Sequence, residues 1–404
     1  MISRQKYIER IQAYIDKPVI KVITGIRRCG KSTFMRILVN QLIEKGVKSE
    51  NIVLIKKDSL DFEFIKDYND LHLYVKQQLK GKKGPKYIFI DEVQEVSNWE
   101  KAVAGFLADN MGDIYISGSN ARMLSSELST LLSGRYIEFN MFTLTFSEFL
   151  SFRKKGEDQS ESEFKLYMKY GGFPGLHHIE LNDEFINQYL NAIYNTVLLK
   201  DVVARNQVRD VALLEKVFRY IADNCGNITT AKSISNYIKS QHLKCSVDTI
   251  QNYISWLTDA NIIHKVNRYD IKGKRQLEIY EKYFMGDIGF LFSTIGNKVE
   301  DISGKLENIV YLELISRGYS VQIGKLYDKE IDFIATKNNK KTYIQVCYLL
   351  NDQKVIDREF GVFNSVKDNY EKLVLSLDKY SGYDYEGIQW MNLLDFLLEN
   401  NSLN

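Results

Sequence analysis

Proline is scarce: a chain of 404 residues has three, Pro18, Pro85 and Pro174, and no Gly/Ser-rich or low-complexity run is present to act as a long flexible linker. Cysteine is scarce too. Cys29, Cys225, Cys245 and Cys347 are far apart, with no CxxC pair and no histidine at ligand spacing nearby, which argues against structural zinc and a disulfide framework. No apolar stretch approaches the ~20 residues needed to span a bilayer, and the opening MISRQKYIERIQAYI is charged and amphipathic, unlike a signal peptide; a cytoplasmic location is expected. Neither sign of charge is in excess. With 54 Lys+Arg against 52 Asp+Glu the net charge is +2, so no global field draws the chain to nucleic acid or to anionic lipid, and any such binding must be local. There is no internal repeat.

Core-forming material is plentiful. A hydrophobic content of 45% with 26% charged residues excludes a disordered chain. At about 100–200 residues per domain the length suggests two to four domains.

Residues 19–24, VIKVIT, form a β-branched apolar run that leads into Gly25-Ile26-Arg27-Arg28-Cys29-Gly30-Lys31-Ser32-Thr33 and then the helical pattern FMRILVNQLIEKG. The spacing GxxxxGK[ST] between a strand and a helix is what a phosphate cradle requires: glycines allow the tight turn and aim backbone N–H groups at an anion. Lys31 is expected to reach the β- and γ-phosphates of ATP, and Ser32 to place its hydroxyl on Mg²⁺. Thr33, one residue deeper, could contact a phosphate. Arg27 and Arg28 are unusual inside such a loop, and either could meet a phosphate or a neighbouring carboxylate.

A second buried-type strand, Tyr87-Ile88-Phe89-Ile90, ends in Asp91 and Glu92. Asp91 is expected to hold Mg²⁺ through water, and Glu92 to orient and polarise the attacking water. A third strand, Asp113–Ile116, runs into Ser117-Gly118-Ser119-Asn120, where Asn120, or else Ser119, is the candidate to sense the γ-phosphate. Arg135, in Ser133-Gly134-Arg135 ahead of the strand YIEFNMF, is either an arginine finger for a neighbouring subunit's nucleotide or a surface charge.

GIRRCGKST, YIFIDEVQ, ISGSNARML, LLSGRYIEF and FSEFL together resemble the AAA-superfamily P-loop ATPases of bacteria and archaea that carry RRxGK[ST] loops and a C-terminal domain of unknown function. YGGFPGL at 170–176 and VLLKDVV at 197–203 look like that group's joining segments, so the likeness covers the whole chain. One departure is Thr-Leu-Thr before Phe146, where the group usually has Pro-Leu-Ser/Thr. The resemblance implies ATP binding and hydrolysis and leaves the cellular role open.

Residues 229–269 read as helix near 231–239, helix near 246–259, then the strand-like IIHKVNRYD, an order that suits a winged helix-turn-helix. Ser246, Thr249, Gln251 and Asn252 on the second helix could face DNA. Residues 230–275 hold eight Lys/Arg against three Asp/Glu, a local +5 that supports DNA contact; protein packing is the other use of such a module. From Lys305 the order helix, three strands, helix near 357–369, strand is that of the restriction-endonuclease-like core. In nucleases of the PD-(D/E)xK class, Glu307 and Asp332 match the first two metal ligands and Glu330 could lend a third carboxylate. Gln345 and Cys347 replace the second acid and the lysine, which argues against nuclease chemistry.

The expectation is therefore an α/β chain: an AAA-type P-loop domain on a parallel sheet (1–150), a helical connector (151–210), a winged helix (211–275) and a degenerate restriction-endonuclease-like domain (276–404). Its expected partners are ATP and ADP with Mg²⁺, double-stranded DNA through 230–275, and, if Arg135 acts in trans, further copies of the chain in a homo-oligomer. No membrane partner is expected. The alternatives are a nucleotide-gated protein-interaction module with little turnover and, less favoured, an ATP-driven nuclease.

Overall fold

A computed structural model describes residues 4–119, 132–296, 302–379 and 383–399 and divides the chain into two compact units, 1–141 with 259–261 and 142–258 with 262–404. The expected sensor Asn120 lies outside the described residues.

The first unit is built on five parallel strands, β1 (Ile20–Thr24), β2 (Ile52–Lys56), β3 (Tyr87–Asp91), β4 (Asp113–Gly118) and β5 (Tyr136–Asn140), in the order β2-β3-β4-β1-β5. Every residue of β1 and β3 is buried, which is why these strands read as continuous apolar runs instead of alternating ones. Helices α1 (Gln5–Gln12), α2 (Lys31–Glu44), α3 (Tyr68–Leu79) and α4 (Trp99–Ala108) cover the sheet. Leu71, Val75 and Leu79 of α3 and Trp99, Val103 and Phe106 of α4 form one core with Val22, Ile55, Ile88, Ile90, Ile114 and Ile116. Because all five strands run the same way, the segments after Thr24, Asp91 and Gly118 emerge from one edge of the sheet, where ligands of open α/β sheets bind. β4 lies between β1 and β3, so Ser117 stands between the glycine loop and the Asp-Glu pair.

The second unit begins with α5 (Phe146–Arg153), α6 (Ser160–Tyr170), α7 (Asp183–Thr196) and a π-helical turn over Val197–Ala204. Thr145 caps α5 in a reciprocal box with Glu148. There follow α8 (Val211–Asp223), the two-residue β6 (Ile228–Thr229), α9 (Ala231–Ser240), α10 (Val247–Asp259), β7 (Ile263–Asp270) and β8 (Arg275–Met285). After α11 (Gly289–Ile295) come α12 (Ile302–Ser316), β9 (Ser320–Leu326), β10 (Lys329–Lys337), β11 (Lys340–Val346), α13 (Gln353–Gly361), β12 (Glu371–Ser376), β13 (Tyr383–Tyr385), β14 (Ile388–Asn392) and α14 (Leu393–Leu398). All nine strands share one mixed sheet, ordered β13-β14-β12-β11-β10-β9-β7-β8-β6. A boundary at 275/276 would cut the β7–β8 hairpin, and β7 continues into β9 by parallel pairing at 268–270, so hydrogen bonding runs through that point. The helix expected near 357–369 lies earlier, at 353–361. Asp352 caps it by accepting the Val355 N–H, and beyond Gly361 the chain turns through Phe363–Ser365 toward β12.

Asp287 ties this unit together. Its carboxylate is fully buried and accepts the N–H groups of Gly172 at 2.9 Å and Gly289 at 2.8 Å, with the Thr143 hydroxyl also bonded to it. Thr143 is the residue that departs from the usual proline, and its hydroxyl has a task here. Burial lifts the Asp287 carboxyl to about 6, against the opposing pull of those three donors. The folded state therefore binds this proton more tightly than the unfolded chain, so the contribution is fully present below the ordinary 3.8 and is lost as pH rises to about 6. We expect urea midpoints to drop between pH 4 and pH 6.5 by an amount equivalent to about 2 kcal/mol from this group, with Asp287→Asn flattening that slope. An identical pH slope in wild type and variant would contradict the assignment.

Candidate nucleotide site and the acidic cluster

The loop after β1 is shaped by its glycines. Gly25 has φ +143° and a side chain there would meet the Met141 carbonyl at 2.1 Å, while Gly30, at φ +108°, is the residue from which α2 starts. The first bond of α2 runs from the Phe34 N–H to the Gly30 carbonyl, and no side chain caps the helix. The N–H groups of Lys31, Ser32 and Thr33 thus precede the first intrahelical bond, as an anion cradle requires. Ile26, Arg27, Cys29 and Lys31 are buried, Ser32 and Thr33 half-buried, and Arg28 exposed with φ +70°.

Lys31 Nζ donates to the carbonyls of Gly25 at 2.9 Å and Ile26 at 3.3 Å and lies 4.0 Å from Glu92 Oε1. Two motifs far apart in sequence therefore meet at one point. Asp91 and Glu92 are both nearly fully buried. Ser117 Oγ donates to Asp91 Oδ1 and accepts the Glu92 N–H at 3.2 Å, and Gln94 Nε2 donates to Glu92 Oε2. Glu92 itself adopts a left-handed backbone, φ +54° and ψ +52°, uncommon for a non-glycine residue and a mark of local strain at functional turns. Ser117 and Gln94 were not singled out in the sequence, although both stand inside the quoted motifs.

Ser119 is buried beside this edge. Arg135 is exposed and elsewhere: its carbonyl accepts the Ile20 N–H at the start of β1, the opposite end of the strand from Gly25. Five strand residues separate the two ends, roughly 16 Å, so Arg135 is not assembled into this chain's own site.

In the second unit, Gln251 and Asn252 of α10 are exposed, whereas Ser246 caps the helix by accepting the Thr249 N–H at 3.0 Å. Lys272, Lys274 and Arg275 are exposed at the tip of the β7–β8 hairpin, Lys272 Nζ lying 4.6 Å from the Tyr327 ring centre. The acidic trio has a centre that sequence spacing did not reveal. Lys282 on β8, almost fully buried, places Nζ 2.6 Å from Glu330, 2.9 Å from Glu307 and 4.0 Å from Asp332. Asp332 sits at a bulge where pairing with β9 is interrupted, its carboxylate accepting the Val346 N–H at 2.8 Å and its own N–H donating to Gln345 at 3.3 Å. Burial alone would lower the Lys282 ammonium; the three carboxylates outweigh it and raise it above its ordinary value. Burial and Glu307 push Asp332 well up, with Lys282 pulling against them. The Lys282 ammonium faces all three carboxylates, and among the described residues no set of three His, Cys, Asp or Glu is arranged to hold a metal. Cys347 is buried, where its thiol is pushed up by burial first.

No helix among the described residues is long and apolar enough to cross a membrane. A family model described as an AAA domain matches residues 17–150, and a domain of unknown function (DUF8612) matches 161–301. The chain is 37% identical over 403 residues to an uncharacterized protein of Haemophilus influenzae, with 99% of each covered. It is 32% identical over 407 residues to an uncharacterized protein of Methanocaldococcus jannaschii, covering 96% of this chain and 88% of that one. Among solved structures it is similar to a Walker-type ATPase of Pyrococcus abyssi, at 14% identity and a TM-score of 0.48, over 72% of this chain and 95% of the other.

Proposed function

The chain belongs to the family of these full-length relatives from Haemophilus influenzae and Methanocaldococcus jannaschii, with an AAA domain at its N-terminal end, and from that premise we propose that it is a Mg²⁺-dependent ATP hydrolase whose nucleotide state governs a DNA-binding C-terminal half. The observation that carries the hydrolase reading is the meeting of Lys31 and Glu92 at 4.0 Å. Lys31 and the first-turn amides of α2 bind the β- and γ-phosphates. Glu92 accepts the proton of the attacking water at Oε1, the oxygen on the Lys31 side, while its other oxygen is held by Gln94. Ser32 and Asp91, hard oxygen donors beside the cradle, would hold Mg²⁺, which when bound neutralises phosphate charge. Arg135 would serve only a neighbouring copy, and in this reading it does so in a homo-oligomer.

Steady-state hydrolysis with and without double-stranded DNA tests the whole reading, and Lys31→Ala tests its root. That variant is expected to lose nucleotide binding outright in a fluorescent-nucleotide titration; retained affinity would remove the assignment.

The order α8-β6-α9-α10-β7-β8 supports the winged helix-turn-helix reading, in which the exposed Gln251, Asn252, Lys272, Lys274 and Arg275 would supply donors for a duplex. β9, β10, β11, α13 and β12, with β10 antiparallel to both neighbours and β12 parallel to β11, support the restriction-endonuclease-like reading of the last part, used for binding or packing with Lys282 in place of a metal. Reversing the charge of Lys272, Lys274 and Arg275 together should weaken DNA binding and reduce the log-log salt slope by about one for each phosphate that is no longer neutralised. An unchanged slope would take the hairpin out of any DNA site. A second reading, a protein-interaction switch, is favoured by the exposed Ile228, Tyr237, Leu243 and Tyr280 on the same module. ATP turnover indifferent to DNA would favour it.

A further inference from the structure

The segment that supplies Asp91 and Glu92 continues into Val93 and Gln94. A short 3-10 turn over Val93–Glu95 lets the Gln94 side chain return to Glu92, where its Nε2–H donates to Oε2. The other carboxylate oxygen faces Lys31 at 4.0 Å, and Ser117 Oγ accepts the Glu92 N–H. The residue is therefore held from three sides. What stays unexplained is the other half of the same amide: Gln94 Oε1 is buried with no hydrogen-bond partner among the described residues. A buried acceptor without a donor carries an uncompensated desolvation cost. Turning the amide over would not relieve it, because the carbonyl would then oppose the Glu92 carboxylate oxygen, acceptor against acceptor.

We propose that Gln94 is a positioning residue for ATP hydrolysis: its N–H holds Oε2 of Glu92 so that Oε1 stays on the Lys31 side. This rests on the hydrolase reading above. In the step, the water oxygen bonds to the γ-phosphorus, the bond from that phosphorus to the bridging oxygen of ADP breaks, and one water proton passes to Glu92 Oε1. Gln94 neither gains nor loses a proton.

The test uses the full chain with Mg²⁺ and ATP, comparing wild type, Gln94→Leu, Gln94→Glu, Glu92→Gln and the Gln94→Leu/Glu92→Gln double variant. Gln94→Leu and Gln94→Glu should each lower kcat about tenfold or more, with affinity for a non-hydrolysable ATP analogue kept within about twofold. In single-turnover assays Gln94→Leu should cause no further loss once Glu92 is already Gln, because the group it positions is gone. A kcat within about twofold of wild type, an equal loss in both backgrounds, or a loss confined to affinity would each overturn the proposal. Gln94→Glu, which keeps the length but sets an acceptor and a second negative charge against Glu92, decides alone if Gln94→Leu does not fold. Absence of turnover in wild type would sink the hydrolase reading and this inference with it; turnover that ignores Gln94 sinks this inference alone.

Discussion

Glu92→Gln is expected to lower ATP turnover by about 10²- to 10³-fold while leaving ATP affinity within about twofold of wild type. The expectation follows from where the carboxylate stands. Glu92 is buried, its backbone anchored by Ser117 and one oxygen held by Gln94, and only Oε1 is left on the Lys31 side. Glutamine has the same length and fills the same space, so the turn and the cradle should survive. It cannot take a proton from water, however, and general-base catalysis of this kind contributes about 10²–10⁴-fold. Affinity should persist because the proposed phosphate-binding groups are Lys31 and the amides of the α2 first turn, none of which the substitution replaces, and Lys31 keeps its bonds to the Gly25 and Ile26 carbonyls. The two measurements are kcat under saturating ATP and a nucleotide titration by fluorescence. Turnover undiminished in the variant would remove Glu92 from the chemistry, and a parallel loss of affinity would mean that its role is to hold the loop through Lys31.

How much of this site could be read from the chain alone depended on whether its chemistry was contiguous. Gly25 to Thr33 carries its own spacing, and the strand ending in Asp91-Glu92 is legible because a buried parallel strand is apolar throughout. The nearness of Lys31 and Glu92 follows from the parallel sheet. Ser117 was harder: its role depends on β4 lying between β1 and β3, a matter of strand order, which local sequence does not encode. Gln94 was visible as a letter of the motif, but its grip on Glu92 comes from the left-handed turn at Glu92. In the second unit the helices of 231–240 and 247–259 announced themselves through apolar periodicity, with Ile234 and Ile238 buried on one and Ile250, Ile254 and Leu257 on the other. The continuous nine-stranded sheet did not, because the pairing of β7 with β9 joins residues far apart along the chain, Arg268 with Ile323 among them. Sequence pattern alone puts the helix of 353–361 too far along the chain, because its cap, Asp352, is one of many acidic residues and only the bond it accepts from Val355 marks it.

Lys282 is the clearest case of a residue invisible in sequence and consequential in structure, and Lys282→Met should destabilise the second unit by about 3–5 kcal/mol at pH 7.5. In the strand RQLEIYEKYFM it is one cation among several charges, yet it is almost fully buried and contacts carboxylates from α12 and β10. Methionine replaces the stem with little change in volume, so the loss isolates the charge. Without the ammonium, Glu307, Glu330 and Asp332 repel one another in a desolvated site, and the nearest relief is protonation. Asp332 is already pushed up by burial and by Glu307, and Lys282 is the group that opposes this. Removing it raises the folded-state Asp332 carboxyl further above its unfolded value, so the variant's deficit should shrink at pH 5 and widen as pH rises. Adding Glu330→Gln to the variant removes one of the repelling charges and should recover part of the loss. Urea unfolding at pH 5 and pH 7.5 reads all of this. A deficit below about 1 kcal/mol at both pH values would place the cluster with ordinary surface pairs, and a deficit that grows toward pH 5 would mean that the carboxylates do not depend on Lys282 for their charge.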